Sequence, residues 1–368
     1  MSKIKVTPLK LIVLFQLIFA FSLSKCLPLD SNQYLKVKRT FHLDLPPVNE
    51  EATVVFWKQD FAPPEIYEGF NGELILNRFS YLQIYDSEGS AIQKVGGYGQ
   101  GPGEFQAINS VIKSSQNYLI LDPLQATLSI FDKKFFFVRR FLLLPEGASN
   151  IVQDITVNNQ LVATAQLKRE SSTNKIITKA INLYSHNGKW QKALFNLSSF
   201  RQQHRNYPEI LLIGHVLMDE KYIYFCLAPV NCIWKLDFNG QIVKEFYFGR
   251  DWWTYIKYNP SERKTFSLKK PAWMYDLQAE ETGDRIMKLF FINNEICLQI
   301  KKRGPDLLDY CYVLVNRELS SESNPFYVKD FFPAGSGENC IFLARMIEFS
   351  SPFETSKAEI IKCYLEIN

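Results

Sequence analysis

Apolar residues along this chain come in short runs that end in Asp, Asn or Ser and pass into a tight turn. Few stretches hold a helical period. β-Branched and aromatic residues dominate the runs, and such runs bounded by turn formers read as strands. One signature recurs. Leu82-Gln83-Ile84-Tyr85-Asp86 leads into Ser87-Glu88-Gly89, and Leu128-Ser129-Ile130-Phe131-Asp132 repeats it. Ile181-Asn182-Leu183-Tyr184-Ser185 leads into His186-Asn187-Gly188, and Ile233-Trp234-Lys235-Leu236-Asp237 into Phe238-Asn239-Gly240. Weaker copies are Tyr312-Val313-Leu314-Val315-Asn316 and Tyr364-Leu365-Glu366-Ile367-Asn368. Four of the five gaps between copies are 46 to 53 residues, and the gap from 237 to 316 is 79. A period near 50 in an all-strand pattern predicts the four-stranded blades of a β-propeller. The competing all-β reading is a sandwich or two smaller β domains.

The second copy reads strand by strand. Ile108 to Lys113 is the inner strand and Tyr118 to Asp122 the second. Thr127 to Asp132 is the third and Phe137 to Leu143 the outer one. The signature therefore marks third strands. The sixth copy ends with the chain, so its blade lacks an outer strand. Residues 35 to 43, Leu35-Lys36-Val37-Lys38-Arg39-Thr40-Phe41-His42-Leu43, are predicted to supply it and close the ring. Closure matters because an open blade leaves unpaired edge groups. The expectation is one all-β domain over 35–368, a six-bladed propeller closed by an N-terminal strand.

The run Gly96-Gly97-Tyr98-Gly99-Gln100-Gly101-Pro102-Gly103-Glu104-Phe105 separates the first two units. A phosphate cradle would end in Gly-Lys-Ser/Thr, and Glu104-Phe105 stands there instead. No helix signal follows it, so a dinucleotide turn is disfavoured too. The run reads as a tight connection, with Phe105 plugging an apolar gap between sheets. The stretch Tyr98 to Phe105, then a strand, then Tyr118 to Asp122 and Leu128 to Asp132, resembles the NHL-type repeat. In particular it resembles the NHL-repeat-like six-bladed propellers of exported bacterial proteins. The match is good over 73–143, fair to 250, and rests on spacing beyond. Some six-bladed propellers, of the gluconolactonase and paraoxonase type, carry calcium in the channel; the resemblance makes calcium the one cofactor to consider.

Among 368 residues 46% are hydrophobic and 14% aromatic, enough for a large core. A formal charge of +4 gives no electrostatic case for nucleic acid. Lys3, Lys5 and Lys10 precede an apolar run from Leu11 to Phe21, and Ser22-Leu23-Ser24 offers a cleavage site. Residues 1–24 are read as an export signal, against a buried first helix. Leu23-Ser24-Lys25-Cys26 partly resembles a lipobox, with a lipoprotein signal then running to 25 and Cys26 as the lipidation candidate. Lys25 stands where that pattern takes Gly, Ala or Ser. Periplasmic, cell-surface and secreted locations all stay open, membrane contact being through the lipid alone.

Chemistry is sparse. His42, His186, His204 and His215 show no zinc spacing, and no Gly-x-Ser-x-Gly elbow occurs. His215 is placed on an inner strand, either facing the channel or buried and hydrogen-bonded. Asn109, Asp154 and Asn158 fall near inner strands and suit calcium ligation or strand-end turns equally. The pairs Cys226/Cys232, Cys297/Cys311 and Cys340/Cys363 each flank a hairpin turn. They read as buried thiols or as disulfides, according to register. The segment Trp252-Trp253-Thr254-Tyr255-Ile256-Lys257-Tyr258 is either a hydrophobic wedge or a stacking platform. In a propeller the long links gather on one rim: here 96–105, 201–207 and 250–270. Long links add little core, so Trp252, Trp253, Tyr255, His204, Arg205 and Tyr207 are the candidate ligand-binding residues. The functional expectation is a monomeric binding or interaction module for a protein, peptide or carbohydrate, with no catalytic residues and no bound metal. The alternative is a calcium-dependent hydrolase or lyase with its site in the channel. The mature protein is expected to begin at Lys25 or to carry lipid on Cys26. Mass spectrometry of the native N-terminus checks this, and an intact Met1 contradicts both outcomes.

Overall fold

The computed structural model describes residues 35–46, 65–143, 149–169, 176–177, 179–196, 213–259, 261–262, 278–279, 281–304, 309–328, 331–337, 339–348 and 356–365. Residues 1–24, read above as an export signal, and Cys26, His204, Arg205 and Tyr207 lie outside them. The described chain is almost wholly strand, in a propeller-like arrangement of small four-stranded antiparallel sheets.

In chain order the first five strands are Leu35–Leu45 (β1), Glu65–Glu68 (β2), Leu74–Asn77 (β3), Tyr81–Tyr85 (β4) and Ala91–Gly96 (β5). The second set is Ser110–Lys113 (β6), Asn117–Asp122 (β7), Thr127–Asp132 (β8) and Phe137–Leu142 (β9). The third is Ser149–Val157 (β10), Leu161–Arg169 (β11), Lys179–Ser185 (β13) and Trp190–Asn196 (β14), with the short Ile176–Ile177 (β12) beside β11. The fourth is Gly214–Met218 (β15), Ile223–Leu227 (β16), Cys232–Leu236 (β17) and Ile242–Tyr247 (β18). The fifth is Arg285–Ile292 (β19), Glu295–Lys301 (β20), Tyr310–Val315 (β21) and Phe326–Val328 (β22). The chain ends with Phe332–Ser336 (β23), Cys340–Glu348 (β24) and Ser356–Leu365 (β25).

The first five repeat signatures sit on third strands, as their spacing predicts, and the sixth begins at the end of β25, with residues 366–368 outside the described residues. The Asp that ends a signature has a mechanical role. One carboxylate oxygen of Asp86 accepts the N–H groups of Glu88 and Ser90 at 2.9 and 2.8 Å. Asp132 does the same for Lys134 and Phe136, and Asp237 for Asn239 and Gln241. A short acceptor satisfies turn donors that the ladder cannot reach.

One difference from six separate blades stands out. β1 and the last three strands join β2–β5 in a single eight-stranded sheet, ordered β1-β25-β24-β23-β2-β3-β4-β5. Two antiparallel sets of four meet there at a parallel seam, Ile66 opposite Gly335 and Tyr67 opposite Ser336. The cause is close backbone approach. A Cβ on Gly335 would stand 1.8 Å from the Ile66 carbonyl oxygen, so no other residue fits.

Burial grades from inside to outside. The middle strands β16 and β17 are buried at every position, whereas β18 is exposed at all but one. Middle strands buried on both faces read as continuous apolar runs rather than alternating ones. Apolar clusters fill the spaces between successive sets. One joins Ile84 and Val95 to Phe105, Tyr118 and Phe131. Another joins Leu183 and Leu194 to Phe225 and Trp234. A third joins Phe41, Leu43 and Ile360 to Leu74 and Tyr85.

Phe105 is fully buried in the first of these clusters, the plug expected of the glycine run. Gly96 has φ +87°, and a Cβ there would lie 2.8 Å from the Phe105 ring. The loop is tied down by Gln125, which donates to Gly99 O at 2.9 Å, and by Arg140, which donates to Gln100 O at 3.1 Å and to Glu104 O.

β1 pairs antiparallel with β25, from Leu35 opposite Leu365 to Leu45 opposite Ser356, with one bulge after Val37. This is where the sequence places residues 35–43. Phe41 and Leu43 are buried, and burying such side chains contributes about 1.5–3 kcal/mol each. Deleting residues 35–43 from the mature chain is expected to cost several times thermal energy and to broaden the melting transition. A truncated protein that melts like the full chain contradicts the structural role of this strand.

Candidate functional site

Four meanders start with an innermost strand, β6, β10, β15 and β19, that has no strand partner on its inner edge among the described residues, while β2 and β23 pair with each other. Polar side chains link these edges in succession. The Tyr67 hydroxyl donates to Asn109 O at 3.3 Å, and Asn77 Nδ2 donates to Ile108 O at 2.9 Å. Asn109 Nδ2 donates to Gln153 O at 3.1 Å. Gln153 Oε1 and Asp154 Oδ2 accept the N–H groups of Gly214 and Val216 at 2.8 and 3.0 Å. His215 Nε2 lies 3.2 Å from Ile286 O, and its Nδ1 lies 3.7 Å from Asp154. Lys288 Nζ, on β19, then pairs with Glu65 on β2 at 3.0 Å and lies over the Tyr67 ring. Burial, reinforced by Glu65, raises the Tyr67 phenol well above its ordinary range and keeps it a neutral donor.

His215 is thus buried and hydrogen-bonded on an inner strand. Asp154 serves Val216 and Ile155, and the Asn158 side-chain oxygen accepts from Gln160 and Leu161. His186 is a turn residue, its Nε2 2.8 Å from Asn158 O. Among the described residues no group of three or more His, Cys, Asp or Glu gathers to hold a metal ion.

The six described cysteines are free and buried. Register explains why. Cys297 faces Leu314 across its ladder and Cys311 faces Ile300; Cys340 faces Tyr364 and Cys363 faces Ile341. With Phe225 opposite Trp234, Cys226 and Cys232 are one position out of step. An odd offset, one residue for Cys226/Cys232 and Cys340/Cys363 and three for Cys297/Cys311, puts each pair on opposite sheet faces, and the members pack in different clusters. Burial raises the Cys232, Cys311 and Cys340 thiols to about 12, so they stay protonated and unreactive.

On the link rim the aromatic segment divides. Trp253 is 7% exposed and meets Phe248 edge-on at 5.4 Å, in the cluster between the fourth and fifth sets. Trp252 is half-buried beside it, with Lys302 Nζ 4.9 Å from its ring centre. Lys302 is fixed by a salt bridge to the buried Asp284. Tyr255 is 56% exposed, yet its hydroxyl donates to Asn231 at 3.1 Å. Only Trp252, Trp253 and Tyr255 of the candidate residues are described, and one wedge and one platform come from a single stretch.

The turn rim carries a feature that strand spacing does not announce. The first turns of the second, third and fourth sets converge with the end of β19 and the turn after β21. They enclose an open cavity of about 350 Å³, lined among others by Lys113, Asn158, Asn159, Asp219, Phe291 and Arg317. Asn158 Nδ2 donates to Asp219 O at 3.0 Å, which fixes two of these turns together.

No family model and no curated protein matches the sequence. Solved structures do resemble the fold. An exported-protein candidate of Bacteroides fragilis superposes with a TM-score of 0.57 at 11% identity, over 92% of this chain and 97% of that one. A member of the DUF4221 family from Bacteroides vulgatus gives 0.53 at 11% identity, over 92% and 100%. At such identity the likeness concerns the fold alone, and it supports a propeller without adding anything particular to the NHL repeat.

The division of the aromatic segment is testable. Trp253→Ala is expected to destabilise the protein by about 3–5 kcal/mol, as large buried aromatics do. Tyr255→Ala, which removes one part-buried hydrogen bond, is expected to cost about 1 kcal/mol. Chemical denaturation of both variants checks this, and equal losses contradict the division.

Proposed function

We propose that the protein is an exported six-bladed β-propeller that acts as a binding module for a protein, peptide or carbohydrate partner. Two observations support six closed blades. The eight-stranded sheet resolves into two sets of four at its parallel seam, and apolar clusters join each set to the next, including the last to the first. Export rests on the N-terminal pattern and agrees with the description of the Bacteroides fragilis neighbour.

One observation carries binding over channel catalysis. Glu65, Asn109, Gln153, Asp154 and Lys288, on or beside the inner strands where a channel enzyme would hold its reactive residues, are engaged with one another and with strand edges. Recognition is then left to the rims. On the link rim Tyr255 offers an exposed ring already fixed by Asn231, and Trp252 lies under Lys302. A ring held in place before binding loses little entropy on contact. His204, Arg205 and Tyr207 belong to the same proposed surface.

The test uses the mature protein on glycan and peptide arrays, followed by titration of the best binder with wild type and Tyr255→Ala. Expected is a loss of binding of about tenfold or more in a variant whose melting is little changed, the scale of a modest contact hot spot. Binding that survives Tyr255→Ala places the partner elsewhere. A rise in melting temperature with calcium, reversed by chelator, favours the channel enzyme instead.

A further inference from the structure

The cavity on the turn rim has an uneven charge account. Its Asp219 and amide groups are engaged within the protein, and Glu220 is an exposed carboxylate at its edge. Asp219 accepts the N–H groups of Lys221 and Tyr222 at 2.8 Å and the Tyr224 hydroxyl at 3.0 Å. Glu220 accepts from Asn159 at 2.8 Å, and both polar ends of the Asn158 side chain are occupied. Its two cations are less engaged. Lys113 Nζ has one long hydrogen bond, 3.4 Å to Gly69 O, and lies 5.6 Å from the centre of the Phe70 ring. The Arg317 guanidinium stands 4.1 Å from the centre of the Phe291 ring and 3.9 Å from Asp219. Arg317 Nε is closed to solvent and without a hydrogen-bond partner among the described residues, while the side chain as a whole is 31% exposed, so a ligand would reach other atoms of the guanidinium.

Arg317 is also held in place. Its carbonyl accepts Lys235 Nζ at 2.9 Å, and the flat face of its guanidinium is set by Phe291. A planar fork fixed this way matches the two oxygens of a carboxylate. Lys113 approaches from a different sheet, and Ser114 and Ser115 beside it add hydroxyls to the wall. A volume near 350 Å³ is at the lower end of ligand pockets, of monosaccharide size.

We propose that this cavity binds a small hydroxylated carboxylate, of the sugar-acid class, with Arg317 and Lys113 sharing the carboxylate and the Ser and Asn side chains facing its hydroxyls. The site is on the rim opposite the proposed partner face and does not depend on that reading.

The probes are glucuronate, glucose and inorganic phosphate, titrated calorimetrically into the mature protein. Glucuronate is expected to bind and glucose is not. Lys113→Gln is expected to weaken glucuronate about tenfold or more, the size of one charge-assisted hydrogen bond, with the melting of the free protein unchanged. Arg317→Lys keeps the charge, loses the fork, and is expected to weaken it similarly. Because Arg317 also covers Phe291, Lys113→Gln decides the matter. Equal binding of glucose and glucuronate, phosphate binding without glucuronate binding, no binding of glucuronate, or glucuronate binding unchanged in Lys113→Gln each overturns the proposal. Loss of partner binding in Tyr255→Ala leaves it untouched.

Discussion

An innermost strand with no strand partner on one edge carries a row of N–H and C=O groups that must be satisfied. This chain meets the constraint by side chains sent from one sheet to the edge of the next. Asn109 reaches Gln153 O, Gln153 reaches Gly214 N, and His215 lies against Ile286 O. Each link fixes how two neighbouring sheets sit, so apolar clusters between them can pack to one geometry. Between β23 and β2 the sheets approach so closely that backbone pairs with backbone. That approach is possible because residue 335 is Gly. The eight-stranded sheet and the smaller ones are therefore two solutions to one problem, side-chain bridges and a direct parallel seam.

Much of the fold was legible because its constraints are local. A third strand needs an apolar run, and its turn needs an acceptor for two N–H groups, so Asp86, Asp132 and Asp237 mark three strands in the bare sequence. The outer strand taken from residues 35–43 was legible too, because the last copy stops one strand short. The 79-residue interval was not readable. Its extra length precedes β19, in a link without strand periodicity, where spacing carries no signal. The seam was equally hidden, since one Gly among 17 does not announce that another backbone will come within contact of it.

Side-chain roles were legible only as far as register could be guessed. Flanking a hairpin places Cys297 and Cys311 on adjacent strands, but face is decided by whether their offset in register is odd or even. An odd offset separates them into different cores. The chain turns at Gly249, which accepts the N–H groups of both tryptophans; Trp253 is taken into the core, Trp252 packs half-buried against it, and Tyr255 stays at the surface. Composition identified the segment, and only the three-dimensional path divided it between packing and presentation.

The turn-rim cavity shows why charge alone did not reveal a site. Lys235 and Arg317 are close in the fold, and both are cations against aromatic rings. Lys235 is spent: its ammonium donates to Arg317 O and Glu318, within reach of Tyr222 and Tyr224, and in doing so it fixes the backbone of Arg317. Arg317 inherits that rigidity and keeps its own donors. Lys113, two hundred residues earlier, reaches the same cavity only because each meander turns back at the same rim after its first strand. No motif could join residues so far apart. What distinguishes them is the hydrogen-bond pattern: Asp219 accepts from its own turn and from Tyr224, while Lys113 has one long bond and Arg317 rests on a ring, and the proposed ligand supplies their acceptor.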